Sequence, residues 1–266
     1  MAKRKASNLG SYTDFNLNFG IGCYKVDLDG GCANCYIVRF NYPERTGLLD
    51  PFVGLFSPYK EELRLKDLDE LEDGSVVFLN GLSDTFADFI SDAQRDRWMM
   101  ELALRPQYKF MACTKRAGAM ARYFKTRPVP ENVWVGASIC RKKDLFRLAE
   151  VKSIAAAVRW ISFEPLLEDL GDGYDLDGIS FVCCGGETEP NGKYRPFKVE
   201  WGRGVLRACQ RVGIPFWYDG GNGRNDGRRG APSSEHLPNG GALPQQRFRK
   251  PETWVPKRSE GADGNS

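Results

Sequence analysis

Seven short runs, apolar at their centres and rich in β-branched and aromatic residues, recur at 16–22, 75–80, 108–114, 132–139, 157–164, 178–184 and 214–218. This recurrence limits the fold more than any other feature of the chain. Most of the runs are continuously apolar rather than alternating, as strands of a parallel sheet covered on both faces are. Helical patterns fit most of the gaps. Residues 115–125 carry Ala117, Met120, Ala121 and Phe124 at i, i+3, i+4 and i+7, and 200–212 carries Gly202, Val205, Leu206 and Cys209 in the same register. Each segment is long enough for a crossover helix. The alternation predicts an α/β fold, either a (β/α) barrel, complete or partial, or a doubly wound sheet. A length of 266 residues suits one large domain with an appendage.

The appendage is at the C-terminal end. Residues 220–266 hold nine Gly and five Pro with no apolar periodicity, too little burial to offset the entropy of ordering. The predicted organisation is a domain over 1–219 and a flexible, basic, Gly/Pro-rich tail over 220–266. The one histidine, His236, falls in that tail, so histidine acid–base catalysis and His-rich metal sites are not expected in the domain.

A net charge of +3, from 38 Lys+Arg against 35 Asp+Glu, excludes a histone-like or acidic solvating chain. The total hides opposite local fields. Between 60 and 101 there are twelve acidic and five basic residues, whereas 102–130 carries seven basic residues and no acid. No apolar stretch reaches the roughly 20 residues of a membrane span, and the basic start MAKRKASNLG has no apolar segment behind it. The expected location is the cytoplasm, or the host cytoplasm if the chain is phage-encoded. Thiols stay reduced there, so eight cysteines are read as buried apolar residues or metal ligands rather than as disulfides.

In parallel α/β folds the working residues gather where strands finish, because the loops at that end share one rim. The predicted ends carry Cys23, then Ser83 and Asp84, then Thr114 and Lys115, then Ser138, then Glu164, then Gly185, Gly186 and Glu187, then Asp219. Cys23, Cys32 and Cys35 form a C-x8-C-x2-C pattern in the Gly-rich stretch GIGCYKVDLDGGCANCY. Three thiolates so close together suit three corners of an iron–sulfur cubane; a structural zinc needs a fourth ligand, and a redox dithiol of Cys32 and Cys35 leaves Cys23 without a role. Cys113, Cys140, Cys183, Cys184 and Cys209 lie in or beside apolar runs and are expected in the core. Single rim positions also have plain structural readings: an N-cap for Asp84, a solvated charge for Lys115, turn residues for Ser138 and the Gly185–Gly186 pair.

Taken together, the blocks GC(x)nGCANCY at 22–36, VVFLNGLSDTF at 76–86, CTKR at 113–116, VWVGAS at 133–138, RWISFEPLL at 159–167, FVCCGGETEP at 181–190 and GIPFWYDGG at 213–221 resemble a phage-associated, radical-SAM-like family with a three-cysteine motif, a domain of unknown function. The resemblance implies a radical-SAM-like partial (β/α) barrel of about six to seven parallel strands. It implies a [4Fe–4S] cluster on Cys23, Cys32 and Cys35, with an open iron that chelates S-adenosyl-L-methionine (SAM). The associated chemistry is reductive cleavage of SAM to a 5′-deoxyadenosyl radical that abstracts hydrogen from substrate. By analogy with such barrels, Tyr36, Ser138, Glu164, Gly185, Gly186 and Glu187 fall to cofactor binding, and Asp84, Lys115 and Asp219 to the substrate side. The eight-residue first interval is longer than the usual three, and Asn34 stands where an aromatic residue usually precedes the last cysteine, with Tyr36 following.

The implied substrate is an amino-acid-decorated thymine in phage DNA, rearranged by an isomerase-type reaction, with a low-potential electron donor such as flavodoxin. The basic segment 102–130 and the basic tail offer phosphate contacts. A radical SAM enzyme acting on a peptide or small metabolite, and a non-catalytic zinc-containing nucleic-acid-binding protein, are the alternatives.

Overall fold

The computed structural model describes residues 13–21, 23, 27, 31–35, 57–58, 65–187 and 194–220. Residues 221–266, expected to form a tail, lie outside them, and so does Tyr36. Nine strands are present among the described residues: β1 (Phe15–Leu17), β2 (Gly20–Ile21), β3 (Ser57–Pro58), β4 (Val76–Leu79), β5 (Lys109–Thr114), β6 (Val133–Ser138), β7 (Arg159–Phe163), β8 (Phe181–Gly185) and β9 (Phe216–Gly220). Four α-helices accompany them: α1 (Asp92–Ala103), α2 (Ala117–Phe124), α3 (Phe146–Lys152) and α4 (Val199–Val212). The Ser91 hydroxyl caps α1 by accepting from the Gln94 amide.

Seven strands form one sheet in the order β1-β4-β5-β6-β7-β8-β9, and every neighbouring pair is parallel. The order follows the chain without reversal, so the sheet is wound in one direction. The doubly wound alternative is thereby excluded, since it needs a switch point where the order turns back. A singly wound parallel sheet with crossovers of one hand carries its helices on one face and curves around the other. The fold is an α/β half-barrel of seven parallel strands.

Strand residues divide between two cores as the pleat requires. Phe110 and Ala112, Val133, Val135 and Ala137, Ile161 and Phe163, Val182 and Cys184, and Phe216 and Tyr218 pack in one large cluster with Met120, Leu148, Val151, Val205 and Cys209 of the helices. Their alternates Met111, Trp134, Trp160, Phe181, Cys183 and Trp217 form a separate cluster with Val76, Phe78 and Cys113 on the inner face. Both faces are apolar, which is why the runs look continuous in the sequence. On the inner face Trp160 stacks on Phe181 with centroids 5.5 Å apart and planes at 12°. Phe78 meets Trp160 edge-on at 6.4 Å, and Trp134 meets Phe181 edge-on at 5.7 Å. These rings plug the lower half of the barrel, and the polar residues sit above them at the C-terminal ends of the strands.

Gly136 is where the plug is tightest. A Cβ there would lie 2.5 Å from the indole of Trp160, itself fully buried. Gly136→Ala is expected to cost about 1–3 kcal/mol by overpacking, read by urea denaturation. Gly173→Ala, where nothing lies within 4 Å of an added Cβ, is expected to be neutral.

The predicted first strand is corrected. Instead of one element over 16–22 there are two, because the chain leaves the main sheet after Leu17: Phe19 donates its amide to the Asn80 side chain and Asn18 accepts from the Leu82 amide. Gly20–Ile21 then pairs antiparallel with Ser57–Pro58 in a small second sheet. Between β7 and β8 no α-helix forms; Leu166, Leu170, Tyr174, Leu176 and Ile179 bury themselves from an irregular connection. No helix among the described residues is long and apolar enough to cross a membrane.

Candidate active site

The cysteine stretch follows β2 at the rim where the strands end, and its turn is built around Asp27. This buried carboxylate accepts from the Gly31 amide at 2.9 Å and the Asp27 carbonyl accepts from the Cys32 amide at 3.1 Å, which closes the loop on itself. Residues 31–34 then form the turn that carries Cys32 to Cys35. Cys32 is buried, and Cys23 and Cys35 are partly exposed.

Three braces hold this loop against the strand ends. The first is Asp84, after β4. Its carboxylate accepts from the Thr114 hydroxyl at 2.7 and 2.9 Å, from the Phe86 amide at 2.9 Å and from the Arg116 guanidinium at 3.0 Å. Arg116 in turn points the same Nη1 at the Cys23 sulfur, 3.9 Å away. The Phe86 bond is a local turn bond of the kind expected of Asp84; the link to Arg116 is long-range. The second brace is Lys115, the residue after β5, which runs beneath Gly31 and interacts electrostatically with Cys32, Cys35, Cys113 and Cys140. The third is Glu187, after β8. It accepts from the Asn34 side chain at 2.9 Å, between the two closest cysteines, and is gripped by the Arg195 amide at 2.8 Å and by the Arg195 guanidinium.

A second set of the predicted residues lines the inner wall above the aromatic plug. The Ser138 hydroxyl lies 3.4 Å from the Cys113 sulfur, and the Ser162 hydroxyl donates to Glu164 at 3.2 Å. Glu164 and Asp219 both act electrostatically on the Cys183 thiol, so the three share one neighbourhood. Gly185 and the buried Gly186 continue β8 into the Glu187 turn. The candidates from the strand ends thus separate into braces of the cysteine loop (Asp84, Lys115, Glu187) and a polar wall (Ser138, Glu164, Asp219). Cys140, Cys183, Cys184 and Cys209 are buried as expected, whereas Cys113 is partly exposed on the inner face.

Charge states follow from these surroundings. Burial, helped by the negative charge of Asp84 and opposed by Arg116, pushes the Cys23 thiol up to about 11. Burial likewise pushes Cys113 to about 12, against the Ser138 hydrogen bond. For Glu187 burial acts upward, but the hydrogen bonds from Arg195 and Asn34 outweigh it and hold the carboxyl below its usual range. Glu187 is therefore an anion at neutral pH. Ligation would have to draw the Cys23 proton off, which a metal does by binding the thiolate.

Among the described residues, one group of thiol and carboxylate atoms lies within 4.8 Å of one another: Asp27, Cys140 and Asp144. Its carboxylates are already engaged. Asp27 meets Lys143 at 3.3 Å and the Gly31 amide, while Asp144 takes the Cys140 and Arg141 amides and meets Arg147 at 3.0 Å. The group is a strut between β6 and the cysteine loop. Cys23, Cys32 and Cys35 are not in that group; of them, Cys23 and Cys32 interact electrostatically.

Sequence reasoning did not assign roles to Arg116, Asn34, Arg195 or Asp27. Arg116 was visible as part of CTKR, but its partner Asp84 is 32 residues away. The basic segment 102–130 also changes its meaning. Arg105 pairs with Glu101 at 2.8 Å, Arg116 with Asp84 at 3.0 Å, and Arg127 with Asp96 at 2.6 Å, so acidic and basic segments neutralise each other in part. Arg122 and Lys125 remain exposed on α2 and at its end.

A family model described as "Protein of unknown function (DUF5131)" matches residues 8–249. No curated protein matches the chain. Among solved structures, a cysteine-to-serine mutant of spore photoproduct lyase is similar with a TM-score of 0.45 and 12% identity, over 80% of this chain and 65% of that one. A spore photoproduct lyase complexed with dinucleoside spore photoproduct is similar with a TM-score of 0.42 and 13% identity, over 79% and 64% of the two chains. The chain thus spans just under two thirds of the length of these proteins.

Proposed function

We propose that this chain, which belongs to the family described as Protein of unknown function (DUF5131), is a radical SAM enzyme. The observation that carries the reading is the placement of three thiols on one loop at the mouth of a half-barrel, with braces from three strand ends beneath them. Cys23, Cys32 and Cys35 would hold a [4Fe–4S] cluster, whose soft thiolate donors suit iron–sulfur chemistry. When bound, the cluster and SAM supply reductive C–S cleavage and a 5′-deoxyadenosyl radical able to take hydrogen from substrate.

The protein's own residues position and enclose that chemistry. Ser138 and Glu164 of the polar wall, with Gly185 and Gly186 at the end of β8, are assigned to SAM, and the absence of a side chain at the two glycines lets backbone come close. Glu187 holds the CxxC turn through Asn34 and presents a fixed negative charge beside it. Asp219, on the last strand of the wall, faces the substrate side. The aromatic plug of Trp134, Trp160, Phe181 and Trp217 closes the barrel below and keeps water out of the site.

For the substrate we favour an amino-acid-decorated thymine in phage DNA, rearranged in an isomerase-type reaction. It rests on the family resemblance and on the exposed basic residues Arg122 and Lys125. A low-potential donor such as flavodoxin would supply the electron, in the cytoplasm. The test is anaerobic purification and reconstitution followed by reduction with SAM. The expected result is brown protein with about four iron and four sulfide per chain that forms 5′-deoxyadenosine. Colourless protein carrying one zinc overturns the reading. Faster product formation with hypermodified DNA than with peptides supports the substrate assignment, and no response to DNA defeats it.

A further inference from the structure

We infer that Lys115 is the counter-charge of the cysteine loop, a positioning residue that sets how readily the cluster bound there accepts an electron. The inference rests on the cluster reading of Cys23, Cys32 and Cys35. Lys115 and Arg116 leave β5 in succession, and each reaches a different part of the loop: Arg116 the sulfur of Cys23, Lys115 the neighbourhood of Cys32 and Cys35. Their charges are not equivalent. Arg116 is neutralised by Asp84 at 3.0 Å, with both side chains less than one tenth exposed. No carboxylate among the described residues comes within ion-pair distance of the partly buried Lys115, whose electrostatic partners are the thiols of Cys140, Cys32, Cys35 and Cys113. An ammonium withdrawn from water without a counter-ion is costly. An anionic assembly on Cys32 and Cys35 removes that cost.

The loop is shaped to keep this lysine in place. A Cβ at Gly31 would lie 2.7 Å from Lys115 Cε, 3.3 Å from its Nζ and 2.8 Å from Cys140 Sγ, so the chain passes over the lysine only because position 31 has no side chain. A cluster on three thiolates is anionic, and adding an electron makes it more so. A fixed positive charge beside it therefore stabilises the reduced form more than the oxidised one. Removing that charge makes the cluster harder to reduce.

The experiment is an EPR-monitored redox titration, with dithionite and mediators, of the reconstituted wild type, Lys115→Met, Lys115→Arg and the exposed Lys66→Met. Lys115→Met is expected to show at least a tenfold fall in the reduced-to-oxidised ratio at fixed poise, a negative shift of about 59 mV for a one-electron couple. Lys115→Arg and Lys66→Met are expected to titrate as wild type. An unchanged midpoint in Lys115→Met overturns the inference and leaves the cluster reading standing. If Lys115→Met fails to load a cluster while Lys115→Arg loads, the counter-charge role is supported; failure of both overturns it. A wild type that takes up no iron defeats the cluster reading and this inference together.

Discussion

Cys35→Ala is expected to emerge from anaerobic reconstitution colourless and without its cluster iron, while Cys209→Ala keeps the iron content and spectrum of the wild type. The contrast tests the division of eight cysteines into ligands and core. Cys35 is partly exposed on the loop that Lys115 and Glu187 brace. With its thiolate gone, two remain on the loop, and a cluster held there would lose a corner. Cys209 sits fully buried in α4 within the helix-side core, its thiol pushed up to about 12 by burial, where it behaves as a small apolar group. Its truncation is expected to cost about 1–2 kcal/mol of stability and nothing in loading. Equal iron in the two variants, measured per chain, would refute the assignment.

Asp84→Ala is the second large effect. The carboxylate neutralises Arg116 and accepts from Thr114 and Phe86, with both charged side chains in the protein interior. Removing it strands a guanidinium with little water around it, and breaking a buried pair in this way costs about 3–5 kcal/mol. The expected loss of stability for the apoprotein in urea is of that size. A second readout separates this from a merely damaged fold. The negative charge of Asp84 helps to hold the Cys23 thiol near 11, so its removal lowers that value, raises the thiolate fraction at neutral pH and speeds alkylation of Cys23. A loss below 1 kcal/mol, or alkylation at the wild-type rate, contradicts the bracing role of Asp84.

Much of the fold was legible because burial on both faces of a parallel sheet leaves runs that are apolar throughout. Six of the seven predicted runs overlap single strands, from Val76–Leu79 to Phe216–Gly220, and their C-terminal ends hold the rim residues singled out from the sequence. The first run failed because its hydrophobicity is continuous while its hydrogen bonding is not. Asn18 and Asn80 redirect the chain through side-chain bonds that no periodicity reveals. The cysteine triplet stands out for a different reason: C-x8-C-x2-C is a local pattern, visible without any knowledge of the fold.

What stayed hidden depends on distance along the chain. Asn34 meets Glu187 across 153 residues and Arg116 meets Cys23 across 93, so no local pattern announces either brace. The same holds for charge. The acid-free basic stretch read as a surface field, yet Arg105, Arg116 and Arg127 are each paired with carboxylates of the acidic stretch before it. The sequence by itself determined the α/β class and the strand ends, because these follow from the periodicity of apolar residues along the backbone. Only the tertiary structure decided that the sheet is singly wound, that Asp84, Lys115 and Glu187 serve the cysteine loop, and that Ser138, Glu164 and Asp219 form the wall. Those outcomes depend on which strand lies beside which, and strand neighbours are chosen by packing of the whole core, not by any segment alone.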